Sequence, residues 1–294
     1  MAGVAYASAA YLTWGLFPLY FRALDPIPPP EILAHRIGWS AAFLVLLVTA
    51  RRRWPEAAAQ LRTPGTLARL ATSATLISTN WLIYIWAVNS GHVLDASLGY
   101  FVNPLVSVLL GVMFLRETLS GRQRVALALA AAGVVALGIR AGHVPWVALS
   151  LALTFGLYGL IRKRVTVDAT VGLLGEVAVL APVAVGYLLL LSATRSSHFG
   201  AEAPRSALLA ASGVVTAVPL IWFAVGVRRL RLATIGLLQY LNPTVQFGIA
   251  VFVLGEPLTR AHAIGFACIW AGLAVYTSEA VALGRRARRL ARSM

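Results

Sequence analysis

The sequence predicts an all-α membrane protein of ten transmembrane helices, built as two inverted five-helix repeats with both termini cytoplasmic. Three observations carry this expectation: a composition too apolar for water, ten apolar runs of spanning length, and basic residues that alternate between successive connections. Of 294 residues, 59% are apolar and 12% charged, and the mean hydropathy is +0.79, against about 25% charged residues in soluble domains. Such a chain lacks the polar residues to meet water on any face, so lipid is its solvent and a cytosolic enzyme is excluded. A net charge of +15 would suggest a nucleic-acid partner in a polar chain. Here the arginines sit between apolar runs, so the expected partners are the bilayer and a small-molecule substrate, with no nucleic acid.

The N-terminal stretch lacks the basic start of a secretory signal and stays apolar too long for one, so it reads as a first spanning helix. Cutting the apolar runs at charges, prolines and glycines gives spans near 3–22, 31–50, 66–88, 94–115, 121–140, 143–162, 170–191, 206–227, 232–254 and 259–280. Each approximates the ~20 residues that cross the hydrocarbon. Helices are required because a backbone in lipid must bond to itself, and no period-2 alternation suggests a barrel. The segment 51–69 is the one long polar connection, and its amphipathic middle suits the membrane surface. Placing the N-terminus inside puts 19 of the 25 Lys and Arg on inner connections and the tail, as cytoplasmic loops require.

The chain also repeats itself. Thr13 to Phe17 (TWGLF) recur as Thr154 to Tyr158 (TFGLY), and LGYFVNPLVSVLLGVMFLRE (98–117) matches LLQYLNPTVQFGIAVFVLGE (237–256) with seven identities in twenty. The latter match sets Asn103 and Pro104 on Asn242 and Pro243, and Glu117 on Glu256. The expected domains are therefore a repeat at 1–141, a second at 142–283 and a basic cytoplasmic tail at 284–294. An odd helix number per repeat inverts the second against the first, a common transporter plan.

The stretches EILAHRIGWS (31–40), NWLIYIWAVNSGHVLDASLGYFVNPL (80–105), FGLYGLIRKRV (155–165) and RLRLATIGLLQYLNPT (229–244) resemble the RarD branch of the drug/metabolite transporter superfamily, with two EamA-type repeats. The resemblance covers nearly the whole chain. It implies a multi-pass carrier of the plasma (inner) membrane, of the drug-export or chloramphenicol-sensitive type, with inverted halves around a central cavity walled by helices 1, 3, 4, 6, 8 and 9. One departure is that Pro257 follows Glu256 where the first half has Thr118.

Candidate site residues follow from the cost of polarity in lipid, ~2.5–3.5 kcal/mol for an ionisable side chain at a helix centre. His35 and Arg36 lie a turn into the second span. Either they face the cavity, binding an anionic group or carrying a proton, or Glu31 and His35 pair locally while Arg36 snorkels outward. Glu176, in the seventh span, is a coupling carboxyl or bonds to a neighbouring helix or arginine. Glu117 and Glu256 read as chain-turning residues, and Asp95 as a carboxylate at a helix start. Pro104 and Pro243 read as mid-helix breaks that mark a hinge or binding site, or as packing kinks with Asn as glue. Around them, Tyr100, Asn103, Gln239, Tyr240, Asn242 and Gln246 are cavity candidates. Trp14, Asn80, Trp81, Tyr84, Phe155, Tyr158 and Trp222 are candidates for an aromatic wall suited to amphipathic solutes.

Enzyme chemistry finds no support. The five histidines form no HxxH or HxxxH pair, no DxxD cluster exists to hold a metal, and there is no Walker loop. A single cysteine, Cys268, excludes an intrachain disulfide. No cofactor and no metal are expected, and transport must draw on a solute or proton gradient. A channel or facilitator is the nearest alternative, and a membrane-embedded enzyme a more distant one.

Overall fold

The structure, a computed structural model, describes residues 2–89, 93–139 and 146–253, together with 267, 270, 271 and 274. Among these it is helical throughout, with no strand. In chain order the helices are α1 (Ala2–Gly15), α2 (Phe17–Ala23), α3 (Pro29–Ala50), α4 (Trp54–Leu61), α5 (Thr66–Asn89), α6 (Val93–Leu115), α7 (Gly121–Ile139), α8 (Trp146–Arg164), α9 (Ala169–Ala193), α10 (Ala203–Arg229), α11 (Leu232–Leu238) and α12 (Leu241–Gly248). A π-helical turn, Ile249–Val253, closes the described run.

Three of these, α3, α9 and α10, are long and apolar enough to cross a membrane by length and composition alone. Others are diluted by their own chemistry: α5 carries Thr, Ser and Asn along its length, and α8 ends in Arg162, Lys163 and Arg164. Large apolar side chains cover the outside, among them Val183 at 77%, Leu46 at 68% and Met113 at 62% exposure. A soluble monomer does not present such a surface, and lipid is the solvent that suits it.

Two expected spans are not continuous. The first breaks at Leu16, because Pro18 has no N–H to donate and the chain turns through short Leu16-to-Thr13 and Leu19-to-Leu16 bonds of 3.1 Å. The ninth breaks at Gln239 and Tyr240, just before Asn242 and Pro243. There Asn242 N–H turns back to the Gln239 carbonyl at 3.0 Å, the acceptor that Pro243 has no N–H to reach. Pro104, by contrast, sits inside an unbroken α6. The two NP sites, expected to act alike, therefore differ: one is an interruption and the other a proline accommodated within a helix. The span expected at 259–280, with Cys268, and the basic tail lie outside the described residues except for 267, 270, 271 and 274.

Packing runs mainly between the halves. α1 lies against α10, α3 against α9 and α10, α5 against α8 and α9, and α6 against α8 and α11, with α1 also touching α12. The tightest crossing is α3 on α10, where Gly213 lets the backbone of Trp39 approach so closely that any Cβ would overlap it. Ser40 Oγ donates to the Gly213 carbonyl at 3.1 Å in the same place. Gly213→Ala is expected to cost about 1–3 kcal/mol by forcing these backbones apart, read as a lowered thermal midpoint of the detergent-purified protein.

α4 is an amphipathic helix within the polar connection 51–69. Its Ala57 is buried, Gln60 Oε1 accepts from Asp168 N–H at 2.7 Å, and Arg53 reaches Asp168 at 3.5 Å, which fastens it to the start of α9.

Candidate functional site: an aromatic cavity around a buried arginine

A pocket lies among the helices, lined from both halves of the chain. Each wall is a helical stripe. On α5, Ile77, Asn80, Trp81 and Tyr84 recur at three- and four-residue spacing and share one face; Tyr100 and Asn103 do so on α6, and Leu151 and Phe155 on α8. The α1/α2 break turns Trp14, Phe17 and Phe21 inward. Leu220 of α10, and Gln239, Asn242 and Gln246 at the α11/α12 interruption, complete the lining with Arg36 of α3.

Arg36 is 5% exposed and is the one charged residue among those lining this space. Its guanidinium carbon lies 4.6 Å from the Trp81 ring centre, 5.4 Å from Phe21 and 5.6 Å from Phe17. These contacts attract the cation by ~0.5–2 kcal/mol each without neutralising it. Nε donates to Thr216 Oγ1 at 2.9 Å. Nη1 and Nη2 make no hydrogen bond, and the residue no ion pair, among the described residues, although a guanidinium offers five donors. The remaining polar lining is made of amides. Asn80 Nδ2 donates to the Leu151 carbonyl and to Thr154 Oγ1, both at 2.9 Å, tying α5 to α8. Gln246 Nε2 donates to Asn242 Oδ1 at 3.0 Å. Asn103 Oδ1 and Gln239 Oε1 are buried acceptors without a partner.

A smaller pocket adjoins through Arg36, Ile77, Trp81 and Leu220 and reaches Glu176. Glu176, 2% exposed, accepts from Ser73 Oγ at 2.5 Å and lies 3.4 Å from Arg162, itself 2% exposed. Tyr158 is near enough to interact electrostatically, yet its hydroxyl and Glu176 Oε2 form no well-directed bond. Of the two readings of Glu176, the structure displays the arginine partner.

At the opposite end, Glu31 lies near enough to His35 to act on it electrostatically, but among the described residues it makes its hydrogen bonds elsewhere. It accepts from the His198 backbone N–H at 2.7 Å, from Ser197 Oγ at 3.3 Å, and meets His198 Nδ1 at 2.7 Å, so it holds the loop before α10. His35 stacks on Phe199 at 5.0 Å with Nε2 unpartnered, and lines neither pocket.

Where α6, α8 and α10 end and α11 begins, polar contacts close the bundle. Glu117 accepts from the first N–H groups of α11, Leu232 at 2.7 Å and Ala233 at 3.0 Å, and lies 3.9 Å from both Lys163 and Arg231. A carboxylate there satisfies orphan donors and meets the positive end of the helix. Lys163 donates to the Leu230 carbonyl and Arg231 to that of Thr118, while Arg228 donates to the Val167 carbonyl at 2.6 Å. Glu117 thus does more than turn its own chain, because it joins two halves.

Of the residues singled out from sequence, Trp14, Arg36, Asn80, Trp81, Tyr84, Tyr100, Asn103, Phe155, Gln239, Asn242 and Gln246 share the main cavity. Three wall candidates are not on it. Tyr158 is fully buried and stacks on Phe223 at 5.8 Å, Tyr240 is fully buried with its hydroxyl on the Phe101 carbonyl at 3.3 Å, and Trp222 packs against the main core cluster. Pro104 and Pro243 are packed rather than lining, the Pro104 carbonyl lying against Gly236. Phe17 and Phe21 were missed, although they follow Trp14 at spacings of three and seven; apolar Ile77, Leu151 and Leu220 carried no signal. Asp95, as a side chain, and Glu256 lie outside the described residues.

A helical bundle with a lipid-suited exterior and a polar, aromatic pocket between its halves defines a membrane protein, and the comparisons with known proteins say of which kind. Residues 1–139 match the EamA-like transporter family. The chain is 45% identical to an uncharacterized transporter, YojE, of Bacillus subtilis, over 95% of this chain and 94% of that one. It is 44% identical to protein RarD of Escherichia coli, over 97% and 96%. It is 34% identical to the chloramphenicol-sensitive protein RarD of Pseudomonas aeruginosa, over 98% and 97%. Among solved structures, one chain of 20% identity superposes with a TM-score of 0.74 over 96% of this chain and 98% of that one, a likeness of fold. This protein belongs to the EamA-like transporters, in the RarD branch of the drug/metabolite transporter superfamily.

Proposed function

We propose that the protein is a secondary carrier that exports small organic metabolites or drugs across the plasma (inner) membrane by alternating access. It would do so as ten spans in inverted halves, 1–141 and 142–283, with cytoplasmic termini. The observation that carries this reading is that both halves supply the cavity wall, and do so through matching helices. α1 with α10 is answered by α8 with α5, α8 with α6 by α1 with α12, and α3 with α10 by α9 with α5. Each half thus packs on the other through counterpart surfaces, which suits a bundle that rocks about its middle. With the basic loops inside, the contacts of Glu117 form the cytoplasmic closure. The charged and aromatic lining of Phe21, Arg36, Trp81, Tyr84 and Tyr100 sits on the half of the helices away from it. With that orientation, the arrangement suits an outward-facing carrier.

Counterflow in reconstituted vesicles tests the reading, with chloramphenicol as a first solute because one relative bears its name. A carrier preloaded with unlabelled solute accumulates label transiently and saturates. Conduction without trans-acceleration for every solute that permeates would make it a channel.

A further inference from the structure

We propose that the Arg36 guanidinium is the recognition point for a small organic monoanion whose acidic group is joined to a hydrogen-bond donor and to an aromatic or apolar body. This deepens the carrier reading and rests on it.

The argument starts from an unneutralised charge. Arg36 is buried, and the aromatic rings around it supply attraction but no acceptor. Its one protein hydrogen bond, to Thr216, engages Nε and leaves the two terminal nitrogens free to bind as a fork. Two parallel N–H groups match a carboxylate, which both neutralises the cation and fills its donors. No carboxylate among the described residues takes that place: Glu176 is held by Arg162 and Ser73, Glu31 by the loop at His198, and Glu117 by α11. A neutral solute would leave the charge unmatched, and a cation would be repelled by it. A dianion would find no second cationic group among the cavity-lining residues.

Two further features narrow the class. Asn103 Oδ1 and Gln239 Oε1 are buried acceptors lacking a donor on residues of the same lining, so a ligand N–H or O–H supplies what they lack. Trp14 and Phe155, edge to face at 5.9 Å, offer an apolar wall for a ring or aliphatic body.

The test uses the full chain purified in detergent and three probes: mandelate, which has all three features, its neutral amide mandelamide, and phenylacetate, which lacks the hydroxyl donor. Binding is followed by thermal shift and calorimetry. Mandelate is expected to bind at least ~10-fold more tightly than mandelamide, with phenylacetate weaker than mandelate. Arg36→Met is expected to erase the preference for anion over amide and, without ligand, to raise the melting temperature, because it removes a charge that no group among the described residues neutralises. Arg36→Lys keeps the charge without the fork and is expected to retain a reduced preference. A structural arginine would behave oppositely, so a lowered melting temperature in Arg36→Met overturns the proposal. So does equal binding of mandelate and mandelamide, absence of stabilisation by either carboxylate, or an anion preference that survives in Arg36→Met. If added phosphatidylglycerol alone stabilises through Arg36, the site belongs to a lipid headgroup and the solute proposal falls. Failure of the carrier reading is separately visible: mandelate would then bind through Arg36 yet show no counterflow. Counterflow of uncharged solutes unaffected by Arg36→Met would keep the carrier and discard the anion site.

Discussion

Glu176→Leu is expected to destabilise the protein by about 3–5 kcal/mol, because it strands the Arg162 guanidinium as a lone charge in the bundle. Both groups are 2% exposed and 3.4 Å apart. The pair is not fully served even when intact: Arg162 Nε and Nη1, Glu176 Oε2 and the Tyr158 hydroxyl lack hydrogen-bond partners. An incompletely satisfied buried pair adds little net stability, so its value lies in what its removal leaves behind. Arg162→Met combined with Glu176→Leu is therefore expected to recover most of the lost stability, and thermal unfolding of the two single variants and the double one measures the coupling. The same double variant tests coupling to protons. If it still transports under a pH gradient, Glu176 is a structural partner of Arg162; if exchange persists while pH-driven transport is lost, Glu176 carries the proton.

Glu117→Ala is expected to shift the conformational balance by roughly 30- to 150-fold away from the state seen here. It loses two charge-assisted bonds to Leu232 and Ala233, together about 2–3 kcal/mol. The helix-start N–H groups would turn to water, which is available only if the cytoplasmic side opens. The repeat extends the expectation. Glu256 lies 139 residues after Glu117, and at the same offset Leu232, which opens α11, falls on Val93 of α6. Glu256→Ala is thus expected to bias the balance the opposite way, by releasing an equivalent contact on the start of α6 in the alternate state.

What sequence conveyed and what it withheld divide along physical lines. Arg36 and the aromatic and amide residues of α1, α5, α6 and α8 stood out because a polar or charged group in lipid is costly and therefore rare. Helix existence was legible for the same reason that apolar run length is. Partners were not. Glu31 finds His198 across 167 positions, and Glu117 finds Leu232 across 115, and neither distance leaves a local trace. Nor does residue type reveal which way a helix turns: Trp81 faces the cavity while Trp222, its counterpart 141 residues later, packs into the core. The NP motifs misled by their symmetry. The same two residues sit in a continuous helix in α6 and in the first turn of α12 just after an interruption, because the surrounding bonds rather than the proline alone decide whether a helix breaks.

Alternating opening of the cavity to the two sides, with its closure at Glu117, is tested most directly by thiol accessibility at Phe155, a half-buried lining position without a polar role. In a Cys268→Ala background, Phe155→Cys is expected to react with a membrane-impermeant reagent from outside intact cells and to be protected in inside-out vesicles. Adding Glu117→Ala is expected to reverse that preference. Labelling from the cytoplasmic side in the parent, or a pattern that Glu117→Ala leaves unchanged, would contradict it.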